Sequence, residues 1–337
     1  MTNIAIVGES WGEEELKQRT PFVGSAGYAL TQMLDEAGIS RADCFLTNVF
    51  QQHPPGNKVE WFCGPKTEGI PGYPALVKGK HVRTQFIPEL NRLGEELGSI
   101  NPNIIIALGN TASWALLGRT AISKHRGTTE LSTHTATGYK VLPTYHPAAI
   151  LRQWELRPVT VLDLMKALRE SAFPEIRRPH REIWIEPTLE DLYEFERLYF
   201  RQAEILSVDI ETSGNSITCI GFSPRPDIAL VVPFTDSRRK TRSYWPTIQA
   251  EMEVWRFVKQ VLGVPKPPKL FQNGLYDIAF LWRSVGIPVY GASEDTMLLH
   301  HALQPESLKG LGFLGSIYTD QDSWKQMRKH GTIKKDE

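Results

Sequence analysis

Four short apolar runs punctuate the first half of the chain: Ile4-Ala5-Ile6-Val7, Phe45-Leu46-Thr47-Asn48, Asn103-Ile104-Ile105-Ile106-Ala107-Leu108-Gly109 and Lys140-Val141-Leu142-Pro143-Thr144. Runs that are apolar throughout, without alternation, suit strands covered on both faces, and helical patterns between them make the sheet parallel. One such helix carries Leu30, Met33, Leu34 and Ala37 at helical spacing and is stopped by Gly38. Others are predicted around Ile87–Leu97, from Thr111 to Leu117, and over Leu162–Ala172 as a closing helix. Residues 53–82 hold many Pro, Gly and Lys with no period, which predicts a long loop or insertion.

The texture then changes. Phe173 to Arg181 carries two prolines and a basic run and reads as a linker. Thr188 is placed to cap a new helix, with Asp191 at the capping-box position. Three strand-like runs follow at Glu204–Ile210, Ile217–Phe222 and Ile228–Phe234, and their short polar connections predict an antiparallel meander. The expected organisation is a parallel-sheet domain over 1–173, a linker over 174–185 and a mixed-sheet α/β domain over 186–337.

Composition narrows the class without naming it. A length of 337 residues favours two domains. No apolar stretch is long enough to span a bilayer, and the N-terminus opens into a strand rather than a signal peptide, so no membrane role is expected. Cys44, Cys63 and Cys219 are scattered with no CxxC pair, which argues against a disulfide scaffold and a four-cysteine iron–sulfur site. A reducing cytoplasm is the expected home. Thirty-eight basic residues balance thirty-eight acidic ones, so bulk charge makes no case for nucleic acid. Two local clusters, Arg177-Arg178-Pro179-His180-Arg181 and Arg238-Arg239-Lys240-Thr241-Arg242, suit either phosphate neutralisation or a solvated surface loop.

Ligands of open α/β sheets bind beyond the carboxyl ends of the strands. Glu9, Asn48 and His146 all lie there, so they are expected to meet in one cleft. A carboxylate can orient a water or stabilise a cation, and an Asn amide matches the O4 and N3–H edge of a pyrimidine. An imidazole can hydrogen-bond an oxygen that becomes negative in the transition state. Phe22, within Thr20-Pro21-Phe22-Val23-Gly24, offers a flat stacking surface. Singly, each has an ordinary explanation as a helix-end carboxylate, a turn amide, a capped loop histidine or a core ring. Together they are the parts for breaking an N-glycosidic bond.

The first half closely resembles the uracil-DNA glycosylase superfamily, particularly its family 4. The matching residues are Gly8-Glu9 with Gly12-Glu13-Glu14, Thr20 to Gly27, Thr47-Asn48-Val49, Ala107 to Ala112, and His146-Pro147-Ala148-Ala149-Ile150-Leu151-Arg152. The resemblance implies a three-layer α/β/α fold with Glu9 activating water, Phe22 stacking on the base, Asn48 reading uracil and His146 stabilising the departing oxygen. Two departures stand out. Ser10-Trp11 replace the usual small residue and proline, and the family's iron–sulfur cysteines are missing, with Gln52 and Phe86 where two of them align. No such cluster is expected.

In the second half, Ser207-Val208-Asp209-Ile210-Glu211-Thr212 puts two carboxylates on one face of a strand. Like charges this close repel, and a divalent cation relieves the cost. Asp277, in Phe271-Gln272-Asn273-Gly274-Leu275-Tyr276-Asp277, starts a helix carrying Ile278, Leu281, Trp282 and Val285. Such carboxylates can hold Mg²⁺ or Mn²⁺ for phosphodiester hydrolysis. This half resembles the 3′–5′ exonuclease domain of the DnaQ-like, RNase H-fold superfamily, closest to the proofreading domain of family A DNA polymerases. Asp209 and Glu211 match its first motif, Asn273 with Asp277 its second, and Glu294 to Leu299 a following helix. The family's last acidic motif has no counterpart in Tyr318-Thr319-Asp320 or in Gln321 to Glu337, so an incomplete domain is expected.

The combined expectation is a DNA-repair or replication protein, of a kind suited to a phage genome, that flips uracil out of DNA and hydrolyses its glycosidic bond. Its partners would be uracil-containing DNA, single- or double-stranded, and a DNA polymerase. The rivals are a metal-dependent 3′–5′ exonuclease whose front half only binds bases, and a non-enzymatic polymerase accessory module.

Overall fold

The computed structural model describes residues 3–319. Asp320 and the stretch Gln321 to Glu337, in which no last acidic motif is found by sequence, lie outside the described residues. The chain divides into two compact units. One runs from the N-terminus through Arg178 and takes in the described residues from Gly312 onward; the other is Pro179–Leu311.

The first unit contains β1 (Ile4–Ser10), α1 (Glu13–Gln18), α2 (Ser25–Glu36), β2 (Cys44–Phe50), β3 (Cys63–Gly64), β4 (His81–Val82), α3 (Ile87–Ile100), β5 (Ile104–Leu108), α4 (Gly109–Leu117), β6 (Glu130–Leu131), β7 (Lys140–Thr144), α5 (Pro147–Ile150) and α6 (Arg157–Glu170). The sheet order is β2-β1-β5-β7-β6, parallel except for β6 against β7. Strand alternation explains the unbroken apolar runs. Ile4, Ile6, Ile104, Ile106 and Leu142 pack against Leu30 and Leu34 of α2 and Leu164 of α6. Ala5, Val7, Ile105, Ala107 and Val141 face the other way, onto Leu93 and Leu97 of α3 and Trp114 of α4. Helices therefore cover both faces, giving the three-layer α/β/α arrangement.

The aperiodic stretch 53–82 is a packed insertion. Its only ladder among the described residues is the antiparallel β3–β4 pair, and Phe62 stacks on Phe50 of β2 with ring centroids 3.9 Å apart. Lys140, the charged start of an apolar run, is fully buried. Its ammonium donates to the Glu170 carboxylate and to the carbonyls of Glu170, Phe173 and Glu175. Satisfying those donors is what makes a buried lysine tolerable.

The second unit contains β8 (Glu182–Trp184), α7 (Leu189–Tyr199), β9 (Leu206–Ser213), β10 (Ser216–Arg225), β11 (Ile228–Pro233), α8 (Ile248–Leu262), β12 (Lys269–Phe271), α9 (Leu275–Val285), β13 (Ala292–Asp295) and α10 (Thr296–Leu303). Thr188 and Asp191 form the expected reciprocal cap of α7. The meander β9-β10-β11 is antiparallel, β12 runs parallel to β9 and β13 parallel to β12. The order β13-β12-β9-β10-β11 is that of an RNase H-like mixed sheet, with β8 added at the β11 edge.

Three differences from the sequence reading follow from pairing that short segments do not advertise. Glu182–Trp184, inside the expected linker, is an edge strand parallel to β11. Glu294 and Asp295 end β13 instead of lying in a helix, and α10 starts at Thr296 with Asp295 as its cap. The helix α11 (Leu311–Tyr318) groups, from Gly312 on, with the first unit rather than with the residues before it. Among the described residues no helix is long and apolar enough to cross a membrane.

Candidate active site

Glu9 and Asn48 sit on adjacent strands, and the register pairs Gly8 with Asn48. A Cβ at Gly8 would lie 2.2 Å from Asn48 Oδ1 and 2.5 Å from Phe22 Cζ, so only glycine lets the amide and the ring approach this backbone. Phe22 itself has φ +58°, a left-handed conformation unusual for a bulky residue. Its amide donates to Glu15 Oε1 at 2.5 Å and its carbonyl accepts from Arg41 Nη2 at 2.9 Å. Gly27 admits that carbonyl, since a Cβ there would stand 1.8 Å from Phe22 O. The Phe22 and His146 rings are tilted with centroids 6.3 Å apart. His146 is admitted in turn by Gly109, whose Cβ would lie 2.9 Å from that of His146 and whose φ is +82°. Phe22, Asn48 and His146 are thus brought together at the carboxyl ends of β2 and β7, and Glu9 follows Gly8 near the carboxyl end of β1.

Their electrostatics differ. Asn48 is 2% exposed, and its side-chain Nδ2 has no hydrogen-bond partner among the described residues. Leaving such a donor unpaired costs about 1–3 kcal/mol. Its backbone, by contrast, is held firmly: Arg92 Nη2 donates to the carbonyls of Asn48 (2.8 Å) and Val49 (3.0 Å) while pairing with Glu89 and Glu96. Burial pushes the Glu9 carboxyl above its usual range, against a 2.5 Å hydrogen bond from Thr111 Oγ1; Glu60 pushes the same way and Arg152 opposes. Burial also pulls the His146 imidazole down to about 4, aided by Arg152, so the ring is neutral at pH 7. His146 Nδ1 accepts from the Ala148 amide at 3.2 Å, which leaves the ring proton on Nε2 as a donor.

Glu15, Arg41 and Arg92 are absent from the sequence reading. Glu15 could have been found from its place three residues after Gly12, where its carboxylate accepts the Gly12 amide at 2.5 Å. Arg41 and Arg92 act across the fold and leave no local signal.

In the second unit, Asp209 and Glu211 alternate with buried Val208 and Ile210 and are exposed on the opposite face. Asp277, on α9, accepts from the Ile210 amide at 3.1 Å, and burial with the nearby charges of Asp295 and Glu211 raises its carboxyl. Glu211 and Asp277 are therefore neighbours, with Asp209 on the same face of β9 as Glu211. Among the described residues, no group of three His, Cys, Asp or Glu side chains stands close enough together to hold a metal ion. Asn273 contributes a turn: its φ is +61°, and its amide and that of Gly274 donate to Asp295. The basic clusters are engaged locally. Arg238 pairs with Asp236 and Glu186, Arg239 with Asp236, and Arg177 lies 3.8 Å over the Phe173 ring.

The family model described as "Uracil DNA glycosylase superfamily" matches residues 1–169. The chain is 36% identical over 170 residues to a type-4 uracil-DNA glycosylase of Thermotoga maritima, covering 49% of this chain and 76% of that protein. It is 34% identical over 175 residues to the type-4 enzyme of Sulfurisphaera tokodaii, covering 50% and 70%. A DNA polymerase of Bacillus phage SP01 is 23% identical over 326 residues, which is 88% of this chain and 32% of that one. The glycosylase matches end within the first unit, whereas the polymerase match runs through both. With the matched half carrying the strand-end cleft just described, the chain belongs to the uracil DNA glycosylase superfamily.

Proposed function

We infer that the protein excises uracil from DNA by hydrolysing the N-glycosidic bond and leaving an abasic site. The observation that carries this reading is the buried, unpartnered Asn48 Nδ2 beside the Phe22 ring. A buried donor left unpaired by the protein itself is one that a water, an ion or a bound ligand satisfies. A flipped pyrimidine stacked on Phe22 supplies a carbonyl oxygen to Nδ2 and an N–H to Oδ1. That pairing repays part of the few kcal/mol lost on unstacking the base.

Bond cleavage leaves negative charge on the uracil ring and positive charge on the sugar. The neutral His146, with its proton on Nε2, donates a hydrogen bond to the uracil oxygen as charge accumulates. This needs no proton transfer, and a ring that protonates only near pH 4 stays in that form at neutral pH. Glu9, ionised above its raised pKa, orients the attacking water and faces the cationic sugar. Thr111 fixes its carboxylate through one oxygen.

For the second unit we propose that it holds DNA, single- or double-stranded, and works beside a DNA polymerase; the phage polymerase match across both units supports that association. The bacterial and phage relatives support a cytoplasmic setting. A second reading, a Mg²⁺- or Mn²⁺-dependent 3′–5′ exonuclease, is favoured by the shared exposed face of Asp209 and Glu211 next to Asp277. One oligonucleotide with a central U separates the two. Strand scission at the U after alkali, lost in Asn48→Ala and His146→Ala, supports the glycosylase. Undiminished release in both variants would refute the site assignment, and metal-dependent shortening abolished by Asp209→Ala would support the nuclease.

A further inference from the structure

The helix α11 lies on the first unit through one buried hub. Arg126 is 3% exposed, and its guanidinium clamps both oxygens of Asp163 on α6, with Nε to Oδ2 at 2.7 Å. Its Nη1 donates to Ser316 Oγ at 2.9 Å, and the Phe313 ring covers the guanidinium at 5.5 Å. Leu314, Gly315 and Ser316 are buried there. Further along α6, Lys166 Nζ donates to the Thr319 carbonyl at 3.0 Å. Gly127 makes the approach possible, since a Cβ would stand 2.6 Å from Asp163 Oδ1 and 3.3 Å from Ser316 O.

The same hub reaches the active site. Thr144, the last residue of β7, donates its hydroxyl to Asp163 Oδ2 at 2.6 Å, and the Gly127 amide donates to the Pro143 carbonyl at 2.8 Å. His146 follows Thr144 after a single residue. A continuous set of contacts thus runs from Ser316 through Arg126 and Asp163 to the strand end that carries His146. A buried ion pair is favourable only when its remaining donors and acceptors are also satisfied, so removing the Ser316 hydroxyl is expected to weaken the Asp163–Thr144 contact as well. The opposite end of β7 has a matching device, because Lys140 there holds the carbonyls of the outgoing chain at Phe173 and Glu175. One strand therefore anchors both the exit and the return of the polypeptide around residues 179–311.

We propose that Arg126, Asp163 and Ser316 are positioning residues for His146, and that the second unit is an insertion whose returning helix sets the glycosylase site. This rests on the role given to His146 above. The test uses the full chain carrying Ser316→Ala, Ser316→Thr, which keeps the hydroxyl, and Phe313→Leu as a second perturbation of the hub. Single-turnover uracil release should fall on the order of tenfold in Ser316→Ala with oligonucleotide Kd within about twofold, and be restored in Ser316→Thr. Phe313→Leu should shift the rate the same way by less. Amide exchange over residues 140–150, measured on the same proteins, should quicken in Ser316→Ala and not in Ser316→Thr. Unchanged exchange there in Ser316→Ala, or a wild-type rate in that variant, overturns the proposal. Exchange needs no uracil chemistry, so a wild-type protein that releases no uracil would remove the glycosylase reading while exchange still decided the coupling.

Discussion

In the glycosylase unit, three side chains from separate segments meet because the backbone makes room for them; in the second unit, Glu211 and Asp277 are neighbours because one strand and one helix start adjoin. Gly8, Gly27 and Gly109 each abut a site residue so closely that a methyl group would collide, and Phe22 is held in a left-handed conformation by Glu15 and Arg41. Asp209 and Glu211 share a face by strand alternation, and Asp277 accepts from the Ile210 amide. Structural cost of this kind is retained where a function requires it. The second site has a left-handed Asn273 and a Gly274 where a Cβ would stand 2.4 Å from that of Phe271, but no buried side-chain donor left unpaired among its described residues.

The largest effects should therefore come from the first unit. Asn48→Leu removes the unpartnered amide while keeping the same branched arrangement of four side-chain heavy atoms. Uracil release should drop by at least about 10²–10³-fold, while thermal melting shows a gain of about 1 kcal/mol, because an orphaned donor is gone. A loss of stability in that variant would mean Nδ2 is satisfied in the free protein. Gly27→Ala should cost about 2–4 kcal/mol in denaturant unfolding, since the clash is with backbone that cannot rotate away.

The pH dependence sharpens the contrast further. Glu9 has its pKa raised by burial, so excision should fall as pH drops through a point above the ordinary carboxylate value, and Thr111→Val should move that limb higher. Stability has the opposite sign for this group. The unfolded carboxyl ionises more readily, so the cost of holding Glu9 ionised disappears on acidification through its raised folded pKa. For His146 the folded value near 4 lies below the usual 6.5. The unfolded state takes up the proton first, and stability is lost progressively between those two values as pH falls. The smallest effect is expected at the exposed pair: Asp209→Ala and Glu211→Ala should leave uracil release unchanged and stability within about 0.5 kcal/mol.

Much of this was legible in the chain because it depends on local pattern. Unbroken apolar runs gave the buried parallel strands, their ends gave Glu9, Asn48 and His146, and the Thr188–Asp191 spacing gave a helix start. What escaped depends on distance. Arg41 and Arg92 hold the site by reaching carbonyls on other segments, and α11 returns across more than a hundred residues to Arg126. The edge strand Glu182–Trp184 is too short to show a period and exists only because β11 offers a partner. Trp282, counted as apolar helix face by spacing, is 61% exposed, since helical period reveals a stripe but not what covers it.

The central claim, that the buried Asn48 amide waits for a pyrimidine edge, is most directly tested by pairing two readings on the same protein samples. Melting temperature and uracil release from a U-containing oligonucleotide, in EDTA, should be compared for wild type and Asn48→Leu. The variant should melt higher and release uracil at least about 10²–10³-fold more slowly. A variant that melts lower and keeps its wild-type rate would contradict the claim.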